Sequence, residues 1–164
     1  MDYDRERWNE KHATKTMPKK ALELLEDNYL KASGTVALDI ACGQGRNSSF
    51  LASCGFNVDA IDISDYALEK LSNLDNIQTS RVDLDTYQIT ENRYDLIVNS
   101  YYLNRRLFPQ IIAGLKHGGV LIFETFLNSK KEGFANPSNP DFLLAENELL
   151  HSFLSLRILY YIEY

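Results

Sequence analysis

An α/β fold built on a doubly wound, mostly parallel sheet is what this chain predicts, and three observations carry that expectation. Short β-branched apolar runs alternate along the chain with stretches of helical spacing, the pattern of βαβ units whose sheet is covered on both faces. The stretch Val36-Ala37-Leu38-Asp39-Ile40-Ala41-Cys42-Gly43-Gln44-Gly45-Arg46-Asn47 ends an apolar strand in an acid and two glycines, then turns helix-compatible. Asp39, Asp62, Asp83 and Asn99 all fall at the carboxyl ends of expected strands, where open parallel sheets with right-handed crossovers collect their ligands.

The elements follow in order. Residues 1–17 are polar and of mixed charge, an N-terminal cap segment that stays disordered unless Tyr3 and Trp8 dock. Ala21, Leu22, Leu25 and Tyr29 recur at helical spacing after Pro18 and predict a helix over 18–29, ended by Ser33-Gly34. Residues 35–41 read as the first strand. A helix over 46–54 turns Phe50, Leu51 and Cys54 inward and stops at Gly55. A second strand covers 56–62, and Ser64 is the N-cap of a short helix to Leu71. Strands are expected at 77–84, 94–100 and 120–127, with a helix over 105–116 between the last two. Residues 85–92 are too polar and short for a helix. A loop over 128–140, a helix over 145–153 and a terminal strand over 156–163 complete a single domain spanning 1–164.

Composition narrows the class. With 164 residues, 45% hydrophobic and 24% charged, the chain can bury its own core as an ordinary globular domain. The formal charge of −6 argues against a broad nucleic-acid or anionic-membrane surface. Cys42 and Cys54 are the only cysteines, too few for a disulfide framework or a metal cluster, so reduced thiols, a cytoplasmic setting and no metal are expected. No window approaches the ~20 apolar residues of a membrane span, and the charged start is no signal peptide.

The glycine stretch narrows the ligand. Two glycines let the backbone turn tightly and approach a ligand closely, and the next helix presents unpaired N–H groups. A dinucleotide fingerprint wants a third glycine three residues after the second, where this chain has Ser48. Asp39 also repels a diphosphate, whereas it suits an ammonium or hydroxyls. Asp62, with two acceptor oxygens, matches the vicinal diol of a ribose. A nicotinamide-dependent oxidoreductase is disfavoured on both counts.

Asp39-x-x-Cys42-Gly43-x-Gly45, then Asp62-Ile63-Ser64, then Asp83-Leu84 resemble the ordered motifs of class I S-adenosylmethionine-dependent methyltransferases over nearly the whole chain. Ser100-Tyr101-Tyr102-Leu103-Asn104-Arg105-Arg106-Leu107-Phe108-Pro109 and Phe123-Glu124-Thr125-Phe126 resemble a small bacterial subgroup described as tellurite-resistance-type or methyltransferase-domain proteins. Asn136-Pro137-x-x-Pro140-x-Phe142-Leu143-Leu144 and Glu148-Leu149-Leu150 resemble the same subgroup. The resemblance implies S-adenosylmethionine as cofactor and S-adenosylhomocysteine as product. It places Ala41, Gly43 and Gly45 against the methionine part, with Asp39 near its ammonium. Asp62 would then hold the ribose and Ile63 pack on the adenine. Asp83 would accept from the adenine amino group beside the Leu84 backbone, and Asn99 and Ser100 would border the sulfonium. Asp83 and Asn99 each have a competing reading as loop caps.

The implied activity is methyl transfer to a small-molecule acceptor; the alternative is a non-catalytic cofactor-binding or interaction module. Acceptor-pocket candidates are Tyr101, Tyr102, Asn104, Arg105 and Arg106, with Glu124 and Thr125; Tyr102 and Arg105 are the catalytic candidates. His12 and the Trp8 segment are placed to close over the top. The fold resembled ends in an antiparallel pair, whereas this chain stops after its sixth expected strand. Residues 156–164 are apolar on both faces, which predicts a longer natural chain, pairing with the fifth strand, or a homodimer through that strand.

Overall fold

The computed structural model describes residues 2–128 and 137–164. Helix α1 (Asp2–Thr14) precedes α2 (Glu23–Asn28), which runs into a 3₁₀ turn over Tyr29–Lys31. Strand β1 (Val36–Ile40), helix α3 (Arg46–Ser53), strand β2 (Asn57–Asp62), helix α4 (Asp65–Glu69) and strand β3 (Ile77–Arg81) form the first half. Strand β4 (Tyr94–Ser100), a 3₁₀ turn at Arg105–Leu107, helix α5 (Phe108–Gly114), strand β5 (Leu115–Glu124), a 3₁₀ turn at Pro140–Phe142 and helix α6 (Glu148–Ser152) form the second.

The five strands make one sheet in the order β3-β2-β1-β4-β5, and each neighbouring pair is parallel. The order reverses between β1 and β4, the switch point above which an open α/β sheet forms its crevice. Strand alternation sorts the core into two layers. Leu38, Ile40, Ile61 and Ile97 pack with Leu107, Phe108, Ile111 and Phe153 on one side. Ala37, Val58, Ala60, Leu96 and Val98 pack with Leu22, Leu25, Leu51 and Leu68 on the other. Asp39 lies between Leu38 and Ile40, so the period of two aims its carboxyl into the second layer, toward α3.

Several expectations change. The N-terminal segment is helical, and its one buried residue is His12; Tyr3 is 74% exposed and does not dock. Helix α2 starts at Glu23 rather than 18, because Leu22 N–H is drawn onto Asn47 Oδ1 at 3.0 Å. The third strand ends at Arg81, leaving Asp83 and Leu84 in the following loop. The 105–116 helix is a 3₁₀ turn followed by a seven-residue helix with Pro109 in its first turn. Strand β5 begins at Leu115, five residues early, because Gly118 at φ +78° lets the strand bulge between the Tyr94 and Leu96 pairings. His117 lies exposed in that bulge.

The largest correction concerns the C-terminus. No strand forms over 156–163, and residues 156–164 carry no regular element. Glu163 accepts from the Asn147 N–H and from the Tyr161 hydroxyl, which ties the end to α6 instead of the sheet. Leu159, Tyr160, Ile162 and Tyr164 stay more than half exposed. A homodimer through this segment therefore has no preformed strand to use. The expected loop over 128–140 lies largely outside the described residues. Among the described residues no helix is long and apolar enough to cross a membrane.

Candidate functional site

The glycine loop closes above β1 by backbone geometry alone. Ala41, Gly43 and Gly45 all have positive φ, at 52°, 54° and 81°, and Gly45 N–H donates to Cys42 O at 2.9 Å. Gly45 is also the residue before α3, so the first N–H groups of that helix face the loop. An ideal Cβ on Gly45 would lie 2.2 Å from Leu71 Cδ2. Only glycine satisfies both the backbone angle and that contact.

Two acids stand beside the loop in different states. Asp39 is 1% exposed; its Oδ2 accepts from Ser48 Oγ at 2.6 Å, while its Oδ1 has no partner among the described residues. Burial pushes its pKa up to about 7, with Asp62 adding to the rise, while Ser48 and Arg46 pull the other way. Asp62 is held by backbone: Oδ2 accepts from Gly43 N–H at 2.8 Å and Oδ1 from Ser64 N–H at 2.8 Å. Each of its oxygens keeps a further lone pair for a hydroxyl. Burial also pushes the Cys42 thiol well above its ordinary range, which leaves it a small buried group of the loop.

A cleft of about 230 Å³ opens here, lined by Met17, Pro18, Asp39, Ala41, Gly43, Gly45, Arg46, Ser100 and Tyr101 among others. Arg46 spans it: its guanidinium donates to Ser100 Oγ at 3.2 Å and to Lys20 O at 3.3 Å, and lies 5.7 Å from the centre of the Tyr101 ring. Arg46 did not emerge from the motif reading, although an arginine directly after the second glycine was a visible signal. Helix α1 covers the opposite side. Asn9 Oδ1 accepts from Ser64 Oγ at 2.6 Å and from Tyr66 N–H at 3.3 Å, and Gln44 Nε2 donates to His12 O at 3.1 Å.

The other expected residues divide. Ile63 follows Asp62 directly, between the two loops. Asp83 is half-buried two residues past β3, and its Oδ1 accepts from Asp85 N–H at 3.0 Å, a local turn. Leu84 is buried, with its carbonyl accepting from Arg106 Nη2 at 2.6 Å. Asn99 is 2% exposed and spends its amide on Tyr102 O at 2.6 Å, so its side chain shapes the turn after β4. Tyr102 bonds Asn104 and packs on the first core layer; it does not line the cleft. Arg105 is taken up elsewhere: it grips both Glu148 oxygens and the carbonyls of Asp141 and Leu143. That bracket holds the α6 region to the domain, and the Glu148 carboxyl is held below its ordinary range chiefly by the Arg105 hydrogen bond.

A five-stranded parallel sheet in this order, with a glycine loop after β1 and an acid ending β2, is the Rossmann-like fold of class I S-adenosylmethionine-dependent methyltransferases. The family model described as tellurite resistance protein TehB matches residues 6–163. A probable S-adenosyl-L-methionine-dependent methyltransferase TehB of Haemophilus influenzae is 33% identical over 139 residues, covering 77% of this chain and 47% of that protein. The crystal structure of TehB from Haemophilus influenzae superposes with a TM-score of 0.69 at 26% identity, covering 98% of this chain and 58% of that one. A ribosomal protein L11 methyltransferase of Campylobacter concisus is 33% identical over 116 residues, covering 68% of this chain and 41% of that protein. This chain belongs to the TehB family. It spans about half the length of the curated relatives it matches.

Proposed function

We propose that this chain binds S-adenosylmethionine and transfers its methyl group to a small-molecule acceptor. The observation that carries the reading is Asp39, a buried carboxyl beside the glycine loop with one oxygen that has no partner among the described residues. That oxygen favours a cationic ligand group over a diphosphate.

The fit to the cofactor rests on residues of this chain. Asp39 would meet the ammonium of the methionine part and Arg46 its carboxylate, with the Gly43 and Gly45 backbone between them. Asp62 would accept from the ribose hydroxyls, Ile63 would cover the adenine, and Asp83 and Leu84 would border its amino edge. The cofactor supplies a methyl group on a sulfonium, already activated toward in-line displacement. The work left to the protein is positioning and exclusion of water, with reacting atoms held at ~3 Å.

Tyr101 supports a location for the acceptor, because it lines both the cofactor cleft and a wider cleft of about 840 Å³ beyond it. Its hydroxyl donates to Glu124, and its pKa is pushed up to about 12, by burial first and by Glu124 second. Tyr101 therefore stays neutral at physiological pH and serves as a wall and hydrogen-bonding group. The buried Cys42 and the free Cys54 suit a reducing, cytoplasmic setting.

The test is calorimetric titration with S-adenosylmethionine and S-adenosylhomocysteine, followed by a screen of thiols, amines, halides and chalcogen oxyanions for release of the demethylated product. Micromolar binding with turnover of one acceptor class is expected. Absence of binding overturns the cofactor, and binding without any turnover favours the non-catalytic module.

A further inference from the structure

We propose that α1 is a lid over the cofactor and that His12 is a ribose-contacting residue, so that the diol is bracketed by Asp62 from the sheet and His12 from the lid. The proposal rests on the cofactor reading above.

His12 is 8% exposed and is the one buried residue of α1. Its Nδ1 has no hydrogen-bond partner among the described residues, an arrangement that is unfavourable unless a ligand satisfies it. The ring lies against the glycine loop: an ideal Cβ on Gly43 would sit 3.1 Å from His12 Cε1. Gly43 N–H in turn donates to Asp62, so the imidazole and the carboxylate both meet the loop at Gly43.

The docking of α1 suits a part that opens. Its contacts to the body are polar, through Asn9 on Ser64 and Tyr66 and through Gln44 on the His12 carbonyl. These anchors straddle the loop after β1 and the loop after β2, the two segments that would hold the methionine part and the ribose. A 13-residue helix without an apolar face is marginal by itself, so a ligand that engages His12 would also order the helix. Burial is the main cause lowering the His12 pKa, with Lys11 adding to it and Asp62 opposing it. A neutral imidazole can accept a hydroxyl proton at one nitrogen and donate from the other.

The experiment compares wild type, His12→Ala and His12→Gln for affinity toward S-adenosylhomocysteine and 5′-methylthioadenosine, which keeps the ribose and lacks the amino-acid part. His12→Ala is expected to weaken both ligands about tenfold, and His12→Gln to recover most of that loss. In wild type, S-adenosylhomocysteine is expected to slow amide exchange across 8–14, and to do so less in His12→Ala. Equal affinity in wild type and His12→Ala overturns the proposal, as does a loss confined to S-adenosylhomocysteine, which moves the contact to the amino-acid end. Should His12→Ala unfold, the glutamine variant and the exchange measurement decide. A wild-type chain that binds neither ligand overturns the cofactor reading itself, an outcome distinct from unchanged binding in the variant.

Discussion

The two ends of the sheet treat their buried polar groups differently. At the amino end, Asp95 accepts from Val36 N–H at 2.9 Å and pairs with Lys116 at 3.4 Å. Asp59 there takes the Tyr94 hydroxyl at 2.8 Å and the Arg93 guanidinium at 3.1 Å. At the carboxyl end, Asp39 and His12 each keep a buried atom without a partner. Both ends carry aspartates, and β2 carries one toward each, Asp59 and Asp62, so residue type does not separate them. What separates them is satisfaction: at one end the acids are paired within the protein, and at the other two buried atoms have no partner among the described residues. Buried polar groups are normally paired, so these atoms support the proposed cofactor site at that end.

Substitutions sharpen this contrast, the largest effect first. Asp62→Ala removes the acceptor of two backbone N–H groups as well as the proposed ribose contact. It is expected to weaken S-adenosylhomocysteine more than a hundredfold, about 3 kcal/mol. Asp95→Asn, at the other end, is expected to lower the melting temperature and leave that affinity unchanged. Calorimetry on both variants checks the pair; a comparable loss of affinity in Asp95→Asn would break the comparison.

Asp39 gives the second test, with a definite sign. Its folded pKa lies above the unfolded value of 3.8, so the native state holds a proton that the unfolded chain has released. Stability from this group is full below about pH 4 and is lost as pH rises toward 7. Between pH 5 and 8 the ligand-free protein is expected to lose on the order of 3 kcal/mol through Asp39, and Asp39→Asn is expected to lose none of it. Denaturant melts at the two pH values measure the difference. If Asp39 meets the ammonium, binding at pH 6 also releases a proton, readable by calorimetry in buffers of different ionisation enthalpy.

Gly45→Ala tests the loop rather than its charges. The positive φ and the Leu71 contact together are expected to cost about 2 kcal/mol, seen as a lower denaturant midpoint with cofactor affinity reduced alongside. Arg105→Ala is the smallest. Its ion pair with Glu148 is partly exposed, so a loss of about 1 kcal/mol or less is expected. Cofactor affinity should stay at the wild-type value; a marked fall would return Arg105 to the site.

Much of the architecture was legible from local pattern. Strand runs such as Leu96-Ile97-Val98, the Ser64 cap and the acids ending β1 and β2 each follow from side chains a few residues apart. The trailing ends were not legible. Residues 156–164 have strand composition, yet strand formation depends on finding a partner edge, and here Glu163 bonds Asn147 and Tyr161 instead. Arg105 reads as an acceptor-pocket candidate because the sequence does not show Glu148 arriving from 43 residues away.

By itself, then, the sequence determined the alternation of strands and helices, the glycine loop and the acids that end β1 and β2, because these depend on short-range spacing and backbone preference. Only the tertiary structure decided which polar groups are spent and which are free. It pairs Asp59 with Arg93 and Asp95 with Lys116, consumes Arg105 and Asn99, and carries α1 across the glycine loop so that the His12 ring lies against Gly43. Those outcomes depend on contacts between residues far apart in the chain, and hydrogen-bond satisfaction is a property of the folded neighbourhood rather than of any one residue.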